Sequence, residues 1–190
     1  MVEKLWKKSG IILVVLLFQA GLALAEETLP KTGDPAWDTL SQVKKDWMLK
    51  LYDIVVEDRP ELKPVADNSL EWHLKEMEYD TKKFQYMSEK HPDRIVRDKG
   101  LGAFSSLDWF PEFSEDLSSK DPEFAQLEKK VAQLKEELSS TKSFKALEDF
   151  ISNLSKDEKH KETFKKFTSE LARVQKILMR QDMEMSRNPR

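Results

Sequence analysis

Residues 70–86 read LEWHLKEMEYDTKKFQY. Leu70, Leu74, Met77, Thr81 and Phe84 recur in alternating steps of four and three, which lines one face of a helix turning about 100° per residue. Trp72, Tyr79 and Tyr86 recur every seven residues on a second face, about 200° around the same helix. A helix that is apolar on opposite sides either lies at the centre of a bundle or offers one side to another chain. Tryptophan and tyrosine carry polar tips, which suits an interface as well as a packing face. Trp72, Tyr79 and Tyr86 are therefore candidate partner-binding residues, with internal packing as the competing reading.

Outward from this stretch, glycine and proline set the punctuation. Beyond residue 25 the glycines are Gly33, Gly100 and Gly102, and the prolines after the leader are Pro60, Pro64, Pro92, Pro111, Pro122 and Pro189. Three long stretches hold neither residue: 36–59, 65–91 and 123–188. Helices exclude both residues, and no stretch alternates in the manner of a strand, so a nearly all-helical chain is expected. The stripes agree. Trp37, Leu40, Trp47, Met48, Leu51, Tyr52, Ile54 and Val55 share a broad face. Phe124, Leu127, Val131, Leu134 and Leu138 line a second helix. Phe164, Phe167, Leu171, Val174 and Leu178 line a third.

Between the last two stripes the phase changes. The register from Leu138 would continue at Thr141 and Lys145, yet the apolar residues are Phe144, Leu147, Ile151 and Leu154. Ser139-Ser140-Thr141 marks the break, where a kink or a short separate helix is expected. Ser155-Lys156-Asp157-Glu158 has the form of a capping box for the last helix. The fold expected is an all-α helical bundle of four to five helices, with a long C-terminal antiparallel helical hairpin over 123–188. The N-terminal helical pair spans 36–91, in one domain with the hairpin or apart from it.

Residues 92–122 form an irregular connector. Phe104, Leu107, Trp109, Phe110 and Phe113 crowd into it, and long structureless connections are rare in compact domains. These aromatics plug the bundle or dock a partner, which makes Trp109 and Phe110 further candidates for partner binding.

The chain opens with Lys4, Lys7 and Lys8, continues with the apolar run Ile11 to Phe18, and reaches Ala23-Leu24-Ala25. Basic start, apolar middle and small-residue cut form a secretory signal peptide over 1–25, with an uncleaved anchor as the alternative. Leu29-Pro30-Lys31-Thr32-Gly33 matches the sortase wall-anchoring motif. That motif requires a following apolar stretch and basic tail, which are absent, so the match is read as chance. The segment 26–35 reads instead as an extended leader ending in Asp34-Pro35, a helix cap followed by a first-turn proline.

The chain carries −3, and residues 1–25 hold three lysines and one glutamate, so the mature chain carries −5. Mixed, mildly acidic charge argues against nucleic acid. The absence of cysteine excludes disulfides, thiolate zinc sites, iron–sulfur clusters, c-type haem and lipoprotein acylation. An exported chain without disulfides fits a bacterial periplasm or exterior, with no membrane association after cleavage.

Chemistry is sparse. A carboxylate di-iron bundle needs Glu-x-x-His pairs, and the position three before His73 is Leu70. His91 precedes Pro92 and is expected to end its helix. His160, flanked by Lys159 and Lys161, reads as a solvated helix start. No Gly-rich phosphate loop or nucleophile elbow occurs. The expectation is a non-enzymatic protein without cofactor, acting on a protein partner or as a homo-oligomer. The alternative is a bundle holding a small ligand, a metal or a non-covalent haem, for which Met77, Met87 and His160 are available.

Overall fold

Asp34 and Pro35 start the first helix as expected. The Asp34 carboxylate accepts from the N–H of Ala36 at 2.9 Å and of Trp37 at 3.0 Å. A computed structural model of the chain describes residues 29–107 and 113–187. The signal peptide and its cleavage site, together with Trp109 and Phe110, lie outside the described residues. Seven α-helices follow in order: α1 Pro35–Asp58, α2 Lys63–Lys90, α3 Gly100–Ser106, α4 Ser114–Lys120, α5 Pro122–Ser140, α6 Lys142–Leu154 and α7 Lys161–Arg187. Five are long and two are short, and no strand occurs among the described residues. The all-helical reading therefore holds, and the connector contains two helices of its own.

The second cap repeats the first. Asp121 precedes Pro122, and its carboxylate accepts from the N–H of Glu123 and Phe124 at 2.9 and 3.0 Å. Thr141 breaks the backbone with ψ 122°, which separates α5 from α6 where the stripe changes phase.

Four long helices lie side by side in the order α7, α1, α2, α5, each antiparallel to its neighbour. Pairings along the seams set the directions. Phe124 stacks on Tyr79 while Leu138 packs with Val65 and Ala66, so α5 descends along α2. His160 meets Asp58 while Gln181 reaches Asp34, so α7 climbs along α1. Helix α6 crosses beneath the α1–α2 turn, burying Leu147 with Val55 and Leu62. Helices α3 and α4 close the opposite end against α7 and α5.

The C-terminal arms α5 and α7 do run in opposite directions. They pack mainly on α2 and α1 respectively, with the N-terminal pair between them, so the expected hairpin is opened around that pair. The capping box is corrected. Ser155 sits in helical backbone at the end of α6, and α7 begins at Lys161. Lys159 and His160 both engage Asp58, which fixes the entry of α7 at the end of α1 and leaves Ser155 behind.

Helix α2 is central in a literal sense. From Ser69 to Ser88 no residue is exposed, although the stretch carries seven charged side chains. Its apolar face meets α1 through Trp37, stacked on Phe84 at 4.2 Å, with Phe104 edge-on to both rings. Phe104 and Phe84 are fully buried, so the connector supplies a plug for this end. Each such burial contributes about 1.5–3 kcal/mol relative to exposure. Leu107, the last residue described before 113, adopts a left-handed φ of 54° that ends α3.

Candidate partner-docking groove

The seam between α1 and α7 is clamped at both ends and carries a surface groove along its middle. At the lower end Lys159 Nζ lies 2.6 Å from Asp58 Oδ1, and His160 Nε2 lies 2.8 Å from Asp58 Oδ2. These hydrogen-bonding partners suit a carboxylate sited at the end of α1, and they hold it below its ordinary value, Lys159 first and His160 next. His160 is only 6% exposed, which corrects the solvated helix start. Its cover comes from a residue 102 positions away, beyond the reach of local sequence.

At the upper end the Arg97 guanidinium meets Asp34 Oδ2 at 2.6 Å, with both side chains nearly buried. Gln181 accepts from Arg97 at 3.3 Å, and Gln175 accepts from the Leu101 N–H at 2.8 Å. The leader is tied in here as well. Thr32 N–H and Oγ1 both donate to Asp38 at 2.8 Å, and Gly33 N–H donates at 3.2 Å from a left-handed φ of 81°. This turn gives the sortase-like stretch a structural use, since glycine adopts positive φ without strain.

Between the clamps lies a groove of about 480 Å³. Its α1 wall consists of Gln42, Val43, Asp46, Trp47 and Lys50. Its α7 wall consists of Thr163, Lys166, Phe167, Glu170 and Arg173. Trp47 stacks on Phe167 at 4.3 Å with rings 9° from parallel, and Phe164 meets Trp47 edge-on at 4.8 Å. Of the groove's two carboxylates, Glu170 pairs with Arg173 at 3.0 Å, and Asp46 accepts from the neutral Gln42 amide at 2.7 Å. Lys50 and Lys166 are exposed and form no ion pair among the described residues.

The aromatic strip of α2 lies elsewhere: Trp72, Tyr79 and Tyr86 pack on helices of the same chain and stay half-buried. Tyr79 stacks on Phe124 at 4.9 Å and donates to Glu128 at 2.8 Å. Burial, then that carboxylate, push its hydroxyl far above the ordinary tyrosine value. Tyr86 donates to Asp116 on α4, which also raises it. Trp72 packs near Leu138 with the Lys135 ammonium 5.8 Å over its ring. Its indole N–H is buried without a hydrogen-bond partner.

Between the two apolar faces of α2 runs a half-buried polar stripe. His73 lies 3.7 Å from Glu76 and draws that carboxyl down. Burial raises the Asp80 carboxyl although Lys83 lies 2.9 Å away. Among the described residues no three His, Asp or Glu side chains converge in a metal-binding cluster. A second cavity of about 190 Å³, lined by Met48, Leu51, Leu70, His73 and Leu147 among others, falls below the usual size of a ligand pocket. Trp47 and Phe167 appear in the sequence only as members of apolar stripes. The signal available was the width of the α1 stripe, whose edge exceeds what one neighbour covers.

No protein-family model matches the chain, and no significant match to a curated protein or a solved structure was found.

Proposed function

We propose that this is an exported, non-enzymatic helical protein that acts by binding a protein partner, as a scaffold or adaptor, through the groove between α1 and α7. One observation supports this above the others: a stacked, half-buried aromatic pair lines a groove between two helices clamped at both ends, together with two exposed lysines that form no ion pair among the described residues. Half-buried aromatic floors with charged rims resemble the centre and edge of protein interfaces. Rigid placement also lowers the ordering cost of association.

A photo-crosslinking residue at position 166, introduced in the native host, tests the reading. A discrete protein adduct is expected from position 166, lost on Trp47→Ala and absent from position 129, which is exposed on α5. If position 166 yields no protein adduct, or one indifferent to Trp47, the groove is not the binding surface.

A further inference from the structure

The groove walls are helical rails. Positions 42, 43, 46, 47 and 50 face 163, 166, 167, 170 and 173, so both walls repeat with helix spacing. From Thr163 to Arg173 the rail extends about 15 Å, which is close to three turns. In this bundle the seam between α1 and α2 is closed by α6 at one end and by Phe104 at the other. The α1–α7 seam is bridged at both ends and by the Trp47–Phe167 stack, and the groove runs along it between two helical walls.

Charge narrows the occupant. Helix α7 carries seven cations (Lys161, Lys165, Lys166, Arg173, Lys176, Arg180, Arg187) against four anions (Glu162, Glu170, Asp182, Glu184), a net of +3 in a chain of net −3. None of the other long helices is net positive. Of the groove carboxylates, Glu170 is paired with Arg173 and Asp46 accepts only from the neutral Gln42 amide, so the lining carries three cations (Lys50, Lys166, Arg173) against two anions, and Lys50 and Lys166 form no ion pair among the described residues. An occupant that buries an apolar stripe on Trp47 and Phe167 meets two free ammonium groups at its margins.

We propose that the groove receives an amphipathic helix of about three turns from a partner protein, with acidic residues flanking its apolar stripe. This rests on the partner-binding reading and names the chemistry of the partner. Apolar anchors at i, i+3, i+4 and i+7 seat on the aromatic floor, and glutamates or aspartates pair with Lys50 and Lys166.

Two synthetic 15-residue helical peptides with the same leucine stripe, one flanked by glutamate and one by lysine, serve as probes against the purified full chain. The acidic peptide is expected to bind at least tenfold more tightly, with affinity falling as salt rises. The double change Lys50→Glu, Lys166→Glu is expected to reverse the preference while the thermal midpoint stays unchanged. Equal binding of the two peptides, or a preference that survives the double change, overturns the proposal. So does concentration-dependent dimerisation of the chain that the double change abolishes, because the occupant is then a second copy. If crosslinking at position 166 succeeds while the acidic peptide shows no preference, the chemistry of the partner is wrong and the binding surface stands. If crosslinking fails as well, both fall.

Discussion

Two seams of this bundle hold the same motif in opposite states. Between α2 and α5, Tyr79 stacks on Phe124 at 4.9 Å; between α1 and α7, Trp47 stacks on Phe167 at 4.3 Å. In the first seam Phe124 is fully buried, and the Tyr79 hydroxyl ends on Glu128, which also accepts from Ser118 at 3.2 Å. In the second both rings are half-buried, and Lys50 and Lys166 on the same groove form no ion pair among the described residues. Stacking is common to both. The difference lies in whether a further element arrives to close the edge: α4 docks beside α5, whereas the α1–α7 seam is closed only at its two ends.

The largest break in the comparison comes from truncating the two inner rings. Phe124→Ala is expected to cost about 3–5 kcal/mol, because it opens a cavity in a filled core. Trp47→Ala is expected to cost about 1–2 kcal/mol, because only part of that ring leaves water on folding. Urea unfolding of both variants measures the contrast; equal losses would mean that the second seam is as closed as the first.

A smaller effect sits on the polar edge of the closed seam. Tyr79→Phe removes a hydrogen bond to a carboxylate while keeping the stack, and is expected to cost about 1 kcal/mol. Thermal melts of the variant settle it, and an unchanged midpoint would detach the hydroxyl from the closure of that seam.

The lower clamp should respond to acid. Asp58 is held below the ordinary carboxylate value, so its contribution is complete above the unfolded value and is lost as pH falls through the folded one. Asp58→Asn is expected to melt earlier than the parent at neutral pH and together with it in strong acid. A difference that persisted with Asp58 protonated would assign the clamp to packing rather than charge.

The smallest expected change is a gain. Burial raises Asp80, so its charge opposes folding above the raised value, and the opposition fades as pH falls through it. Asp80→Asn is expected to raise the melting temperature at neutral pH by about 2 °C. A lower midpoint would show that the pairing with Lys83 outweighs the burial.

The central helix was legible because Leu70 to Tyr86 carries two apolar stripes, and a helix needs neighbours on both. The Asp34-Pro35 cap, the break at Thr141 and the end at His91 were legible because they involve residues within a few positions of one another. The groove was not, because Trp47 and Phe167 are 120 residues apart and look like ordinary stripe members. His160 misled because its sequence neighbours are charged while its structural neighbour is Asp58.

By itself, the sequence determined an all-helical chain, the start of α1, the end of α2, the break at Thr141 and the two-sided character of α2, since propensity, capping and periodicity act within a few turns; it missed α3 and α4 and misplaced the start of α7. Only the tertiary structure decided which helices became neighbours. It placed α5 and α7 on opposite sides of the α1–α2 pair, because the buried contacts of Phe124 with Tyr79 and of His160 with Asp58 select between arrangements that every stripe would equally permit. That selection left the aromatic shelf of the α1–α7 seam half-buried beside a groove.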